Sequence, residues 1–178
     1  MLRELRPALV FIVALTLITG LAYPLAVTGI AGTLFPRQSQ GSLIEQDGQV
    51  IGSALIGQAF TEDKYFHGRL SATTGPDPKD ATKTTESPYN ASNSMGSNLG
   101  PTNRVLVERV KGDVEKAKAE NPSAAVPIEL VTTSASGLDP QISPEGALFQ
   151  VPRVAKARNL SEDRVRQLVQ EHTAGRLI

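Results

Sequence analysis

From Pro7 to Pro36 the chain reads PALVFIVALTLITGLAYPLAVTGIAGTLFP, 30 residues without one charged side chain. A helix rises about 1.5 Å per residue and about 20 apolar residues cross the hydrocarbon core, so Leu9 to Ile30 is long enough to span a bilayer with some tilt. A secretory signal is the competing reading. Its apolar region would run only about 7 to 15 residues, whereas here the apolar stretch continues through Leu21-Ala22-Tyr23-Pro24-Leu25-Ala26-Val27 without a clear small-residue cleavage site. A retained anchor is the better reading. The expected organisation is an N-terminal segment at 1–6, a transmembrane helix at 7–33 and a separate domain at 37–178.

Working outward, Arg3 and Arg6 precede the apolar stretch, while Arg37 follows it, with Glu45 and Asp47 the next charges. Positive-inside bias therefore predicts a single-pass protein with residues 1–6 in the cytoplasm and 37–178 across the membrane. Inside the span, Thr16, Gly20 and Pro24 recur every four residues, a stripe of small or kinking residues that would let a partner helix approach closely. Pro24 removes one helix hydrogen bond and predicts a kink.

The remainder is charged and polar. The 178 residues carry 18 Lys+Arg against 18 Asp+Glu, no cysteine and two histidines, His67 and His172. A disulfide framework, a thiolate nucleophile and a Cys-ligated metal are thereby excluded. Zero net charge also lacks the electrostatic footprint of sequence-independent nucleic-acid binding.

Beyond the span, Ser42-Leu43-Ile44 and the run from Gln49 to Gln58 read as short strands around an Asp47-Gly48 turn, a strong hairpin signal. Residues 69–103 are rich in Ser, Thr, Asn, Gly and Pro, a length of loop that is usually either disordered or functional. Within it, Gly75 to Ser87 reads as a mobile insertion. Tyr89 to Pro101 reads as a tightly wound backbone satisfied by its own amides and hydroxyls. Leu106, Val110, Val114 and Ala117 at helical spacing predict a helix over Thr102 to Ala119, capped by Thr102 and supported by Glu108 and Glu115 facing Lys111 and Lys118. Ile128 to Val131 is a short strand candidate, and Thr132 to Pro140 a second hydroxyl-rich turn segment. Ser143 with Pro144 should open a helix running to about Arg158, with Ala147, Leu148, Val151, Val154 and Ala155 buried and Pro152 kinking it. Ser161 should cap a last helix that buries Val165, Leu168 and Val169 and places Glu162 and Asp163 at the positive end of its dipole. The fold class is α+β: one N-terminal transmembrane helix, then a small extracytoplasmic mixed domain with short strands and about three helices.

Catalytic signatures are missing from the sequence. It contains no Walker loop, no G-x-G-x-x-G, no G-x-S-x-G elbow and no S-x-x-K pair. His67 reads as a surface or packing histidine, His172 as a solvated one and Asp139 as a turn residue before Pro140. No catalytic residue and no metal ligand is assigned. Asn90-Ala91-Ser92 and Asn159-Leu160-Ser161 match glycosylation sequons, which occur often by chance. Val151 to Val165 has the outline of a helix-turn-helix with Lys and Arg on its second helix, which would make the chain a membrane-tethered regulator. Pro152 and the expected orientation oppose that reading. An anchored or exported enzyme is the other alternative, and it would need a titratable cluster that the sequence does not offer.

A resemblance is carried by several blocks in fixed order. These are the N-terminal span, Gly68-Arg69-Leu70-Ser71-Ala72-Thr73, Tyr89-Asn90 with Gly96-Ser97-Asn98-Leu99-Gly100-Pro101-Thr102-Asn103, and Val126-Pro127 with Leu130-Val131-Thr132. They continue through Ser134-Ala135-Ser136-Gly137-Leu138-Asp139-Pro140, Ile142-Ser143-Pro144, and Arg153-Val154-Ala155 with Ala157-Arg158. Together they resemble, end to end, the C subunit of the bacterial Kdp high-affinity potassium-transporting ATPase. Three positions depart from that pattern: Met95 stands where a second glycine usually precedes Gly96, Leu70 where proline often follows the arginine, and Gln141 where histidine commonly follows Asp139-Pro140. A side chain at 95 predicts a backbone that needs no positive φ, and Gln141 cannot titrate.

The resemblance implies a noncatalytic accessory subunit in the cell inner membrane. Its partners would be a channel-like potassium-binding subunit, a P-type ATP-hydrolysing subunit and a small single-span subunit, with no nucleic acid. The family is described as aiding assembly and as a catalytic chaperone that raises the ATP affinity of the hydrolysing subunit. ATP is thus the one cofactor the resemblance brings, although no phosphate-cradling loop is visible in this chain. With the domain outside, such an effect would have to pass through the membrane subunits as a coupling free energy. From the residues themselves, Arg69, Ser71, Asn90, Ser97, Asn98 and Asp139, with the Ser134 to Pro140 turn, are expected to form one ordered polar framework, because the planar fork of an arginine bridges carbonyls or a carboxylate.

Overall fold

The computed structural model describes residues 2–175, and the chain divides into two compact units on either side of Ser53. In the first, α1 (Leu2–Leu15), a wide π-helical stretch (Thr16–Ala22) and α2 (Tyr23–Leu34) follow one another without a break. Arg3–Leu34, 32 residues, forms one helix long and apolar enough to cross a membrane, and none of its most apolar window is buried. A helix that is apolar all round needs either a protein core or lipid around it. Pro24 is accommodated by the π stretch, in which the Tyr23 N–H reaches back five residues to the Ile18 carbonyl. Hydroxyls along the helix bond their own backbone: Thr19 Oγ1 donates to Leu15 O at 2.6 Å and Thr33 Oγ1 to Gly29 O at 2.8 Å.

The helix breaks at Phe35, and a single turn, α3 (Pro36–Ser39), leads into an antiparallel hairpin of β1 (Leu43–Gln46) and β2 (Gln49–Ser53). Asp47 and Gly48 both take positive φ, 52° and 75°, as a tight hairpin turn demands. The register slips beyond Ile44↔Gly52 to Glu45↔Val50, which leaves Ile51 as the extra residue of a bulge. Ser53 Oγ donates to Gly41 O at 2.7 Å and closes the base. The strand stops there, so the apolar run expected to continue to Gln58 is turn and coil instead.

The second unit contains a hairpin, β3 (Thr74–Asp77) with β4 (Asp80–Glu86), and three helices, α4 (Arg104–Glu120), α5 (Pro144–Arg158) and α6 (Glu162–Glu171). The stretch read as a mobile insertion is therefore a hairpin, with its register shifted between Pro76 and Asp77. Thr82, Thr84 and Thr85 suit extended backbone, and Asp77 and Asp80 tie its turn by accepting from the Lys79 and Thr82 N–H groups at 2.8 and 3.1 Å. Expected and observed helices agree closely. Asn103 caps α4 in place of Thr102, its side chain accepting from Val105 N at 2.9 Å. The ion pairs within α4 among the described residues are Arg104–Glu108, Arg109–Asp113 and Lys116–Asp113 rather than the pairs of Glu108 and Glu115 with Lys111 and Lys118 read from spacing. Ser143 and Ser161 cap α5 and α6, accepting from the Gly146 and Arg164 N–H groups. Ile128–Leu130, read as a strand, is a 3₁₀ turn behind Pro127. The turn aims Glu129 at the start of α5, where Oε1 accepts from Ser143 N at 2.8 Å and sits at the positive end of the helix dipole.

The apolar core lies between α5 and α6. Val151, Val154, Ala155 and Val165 are buried, with Phe66, Leu148 and Val169 packed on them. Pro152 sits inside α5, whose helix runs through it. One arginine fastens the chain from Asp63 to Gln150 around this core. Arg153 donates to Asp63 O at 2.6 Å, Tyr65 O at 3.0 Å, Gln150 Oε1 at 2.6 Å and Glu120 Oε1 at 2.9 Å. Gln150, 2% exposed, is itself fully used, pairing with both backbone groups of His67.

Candidate functional site

Two segments distant in sequence run side by side here. Leu70 and Thr133 form an isolated parallel bridge, and Ser134 N donates to Leu70 O at 3.0 Å. That pairing brings the Arg69 fork onto the second hydroxyl-rich turn: Nη1 meets Asp139 Oδ2 at 3.1 Å and Nη2 faces Thr133 O at 3.5 Å. Asp139 uses its other oxygen to accept from Gln141 N at 3.1 Å.

Ser71 and Thr73 form the centre. Ser71 Oγ donates to Gly137 O at 2.8 Å and accepts from Tyr89 N at 3.1 Å. Thr73, 1% exposed, donates to Ser87 O at 2.6 Å and accepts from Asn90 N at 3.1 Å. Asn90 closes the turn behind them, its amide donating to Thr74 O at 2.8 Å while its carbonyl oxygen accepts from Ser92 N. Tyr89 adopts φ 60° and donates its hydroxyl to Arg69 O at 2.6 Å. Burial raises the Tyr89 phenol pKa, with the Asp139 carboxylate adding to the rise and Arg69 opposing it.

Glycines make this closeness possible. Gly137 has φ 69°, and a methyl there would strike the Thr73 side chain and come within 2.7 Å of Met95 O. At Gly96 a methyl would stand 2.9 Å from Ala135 O. Met95 itself takes no positive φ, as a side chain at that position predicts. On Gly57 a methyl would come within 2.5 Å of the Tyr89 ring.

Of the six residues read from the sequence, Arg69, Ser71, Asn90 and Asp139 come together. Ser97 is half-buried and Asn98 exposed, and neither side chain bonds to the framework among the described residues. Asn98 has φ 50°, a backbone role that asparagine tolerates. Sequence reasoning missed Thr73 and Gly57, and included Gly137 only as part of the Ser134 to Pro140 turn. The Thr73 signal was its alternation with Ser71 beside Arg69, and the Gly137 signal its place inside a hydroxyl-rich turn. Thr16 opens the π stretch of the first unit and Gly20 lies within it, where a methyl would touch only Thr16 Cγ2 at 3.8 Å.

Chemically, the framework is a lock. Its hydroxyls donate to carbonyl oxygens instead of to a base, and Asp139 is paired with Arg69. Two buried framework atoms, Arg69 Nε and Ser134 Oγ, have no partner among the described residues. No group of three or more His, Asp or Glu residues able to hold a metal occurs among the described residues. Elsewhere in the unit a mostly apolar groove of about 590 Å³ runs between the start of α5 and the end of α6, lined by Phe66, Ile142, Pro144, Ala147, Leu168 and Val169 among others. On the second helix of the helix-turn-helix outline, α6, Arg166 pairs with Glu162 at 2.9 Å and Arg164 donates to Gln167 Oε1 at 3.1 Å, while Arg153 and Arg158 of the first helix are committed to bonds within the chain.

A long apolar helix thus precedes a small mixed unit whose hydroxyls mostly bond its own backbone. The family comparison is specific. Residues 5–178 match the model of KdpC, the K⁺-transporting ATPase c chain, and the chain belongs to that family. It is 75% identical over 177 residues to the potassium-transporting ATPase KdpC subunit of Rhodopseudomonas palustris strain BisB18, covering 99% of this chain and 89% of that protein. The KdpC subunit of Bradyrhizobium diazoefficiens is 71% identical over 178 residues, with 100% and 89% covered, and that of Methylorubrum extorquens 67%, with the same coverage.

Proposed function

We propose that this chain is the noncatalytic accessory subunit of an ATP-driven potassium uptake pump, held in the cell inner membrane by its N-terminal helix. Its family makes it a subunit of a P-type potassium-transporting ATPase. The observation that supports the accessory role is the framework around Ser71 and Thr73, in which most hydroxyls, an ion pair and close glycines are used to fix the fold. Residues 1–6 lie in the cytoplasm and the second unit lies outside, in keeping with Arg3 and Arg6 before the span. Its partners are the channel-like, ATP-hydrolysing and small single-span subunits. An effect on ATP affinity is then a coupling passed through those partners, with ATP bound elsewhere.

Copurification with subunits showing potassium-dependent ATPase activity tests this reading, and recovery of the chain alone would end it. Reporter fusions at the C-terminus test the orientation. Thr16, Gly20 and Pro24 mark the helix face proposed for the partner. Gly20→Leu should lower recovery of the complex in detergent without impairing insertion, since the chain itself leaves room there. Alone, the protein should neither turn over ATP nor bind potassium in calorimetry, because a phosphate cradle and a closed ring of oxygens are both lacking among the described residues.

A further inference from the structure

Where the π-helical stretch meets Pro24, two carbonyls lose a helical donor: residue 24 would serve Gly20 in an α-helix and Thr19 in a π-helix. In such a turn each N–H bonds the carbonyl five residues earlier, and the last of these bonds runs from Tyr23 N–H to Ile18 O. The next carbonyl, that of Thr19, would be reached by residue 24. Residue 24 is proline, which has no N–H. The α-helical alternative donor to Thr19 O is Tyr23 N–H, already committed to Ile18. The Thr19 hydroxyl is no substitute, because it bonds back to Leu15 O at 2.6 Å. Thr19 thus carries a carbonyl without a helical donor midway along Arg3–Leu34. Within the hydrocarbon core bulk water cannot pair it, and a donor-short backbone group at that depth is met by a neighbouring helix, a nearby Ser or Thr side chain or an ordered water.

We propose that the Thr19 carbonyl accepts a hydrogen bond from a hydroxyl or amide side chain on a transmembrane helix of another pump subunit. The inference rests on the reading of Arg3–Leu34 as a membrane span within the assembled pump. It goes beyond shape matching, since it specifies the partner's chemistry: an O–H or N–H donor at mid-membrane depth. A methyl placed on the adjacent Gly20 would meet only Thr16 Cγ2, at 3.8 Å, so the helix surface beside Thr19 leaves room for a partner side chain.

Solid-state NMR reads this directly. With ¹³C-carbonyl threonine and ¹⁵N-glycine incorporated into this chain, only Thr19-Gly20, Thr28-Gly29 and Thr74-Gly75 give labelled pairs. Gly20→Ala removes and so assigns the Thr19 signal, and Thr28 serves as the internal control. On passing from the isolated chain to the assembled complex in the same lipid, the Thr19 carbonyl signal should move downfield while Thr28 stays in place. Pro24→Ala restores an N–H within the helix. That variant should show the downfield position already in the isolated chain, and should lower complex recovery by about threefold to tenfold, because the partner's donor is stranded. An unmoved Thr19 signal in an intact complex, or undiminished recovery of Pro24→Ala, overturns this inference alone. Failure to recover any complex overturns the assembly reading with it.

Discussion

The second unit is held by two centres built on opposite chemistry. Between α5 and α6, Val151, Val154, Ala155 and Val165 exclude water through unspecific apolar contact. Around Ser71, Thr73 and Gly137, the chain is instead drawn together by hydrogen bonds of fixed direction and by glycines that let backbones touch. An apolar centre tolerates changes that keep volume. A polar centre does not, because an isosteric change that removes one hydroxyl leaves its buried partners unpaired at full desolvation cost. The lesson is that a small domain with few aromatic side chains obtains rigidity from polar groups, at the expense of tolerance.

The largest expected effect tests that intolerance. Gly137→Ala combines a left-handed backbone with collision against Thr73 and Met95 O, and should cost about 4 kcal/mol. Denaturant unfolding of the detergent-solubilised chain would register this as loss of most of its cooperative transition. Next comes Thr73→Val, equal in shape but without the hydroxyl that serves Ser87 O and Asn90 N; a cost of about 3 kcal/mol follows from two orphaned groups. Val151→Ala, at a fully buried site of the apolar centre, should cost about 2 kcal/mol in the same assay. If Val151→Ala proves costlier than Thr73→Val, the contrast between the two centres is broken.

The smallest effect is in alkaline pH. Tyr89 has its folded pKa raised above the unfolded value of 10.0, so the folded state binds more protons between the two values. Its contribution is intact below pH about 10 and is lost as pH rises through the folded pKa. Tyr89→Phe should flatten that alkaline fall in stability. A fall equally steep in the variant would locate the titration at another group.

How much of this was legible differs between the centres for physical reasons. The helices of the apolar centre announce themselves through local periodicity and caps, and Ser143, Pro144 and Ser161 stand where those signals place them. The framework is made of long-range pairs, which leave no period. Arg69 and Asp139 could be linked from charge and composition, yet Thr73 was hidden because a buried threonine and an exposed one look alike in sequence. Ser97 and Asn98 were drawn in by composition alone. Ile128 to Val131 misled for a related reason: β-branched residues favour a strand, but Pro127 before them and the pull of Glu129 toward α5 settle the backbone as a 3₁₀ turn. At Gly75 to Ser87 charge and proline suggested looseness, where threonine alternation made a hairpin.

The bonds of Arg153 also set a schedule for biogenesis. They reach back 90 residues to Asp63 and 88 to Tyr65. A ribosome adds about 5 to 20 residues per second, so the segment around Asp63 emerges roughly 5 to 20 s before the arginine that fastens it. Ser71 likewise awaits a glycine 66 positions downstream, and α6 is made only after Arg153. The segment from Asp63 to Thr73 is therefore synthesised well before the groups that fasten it, and its folding must wait on the second half of the unit.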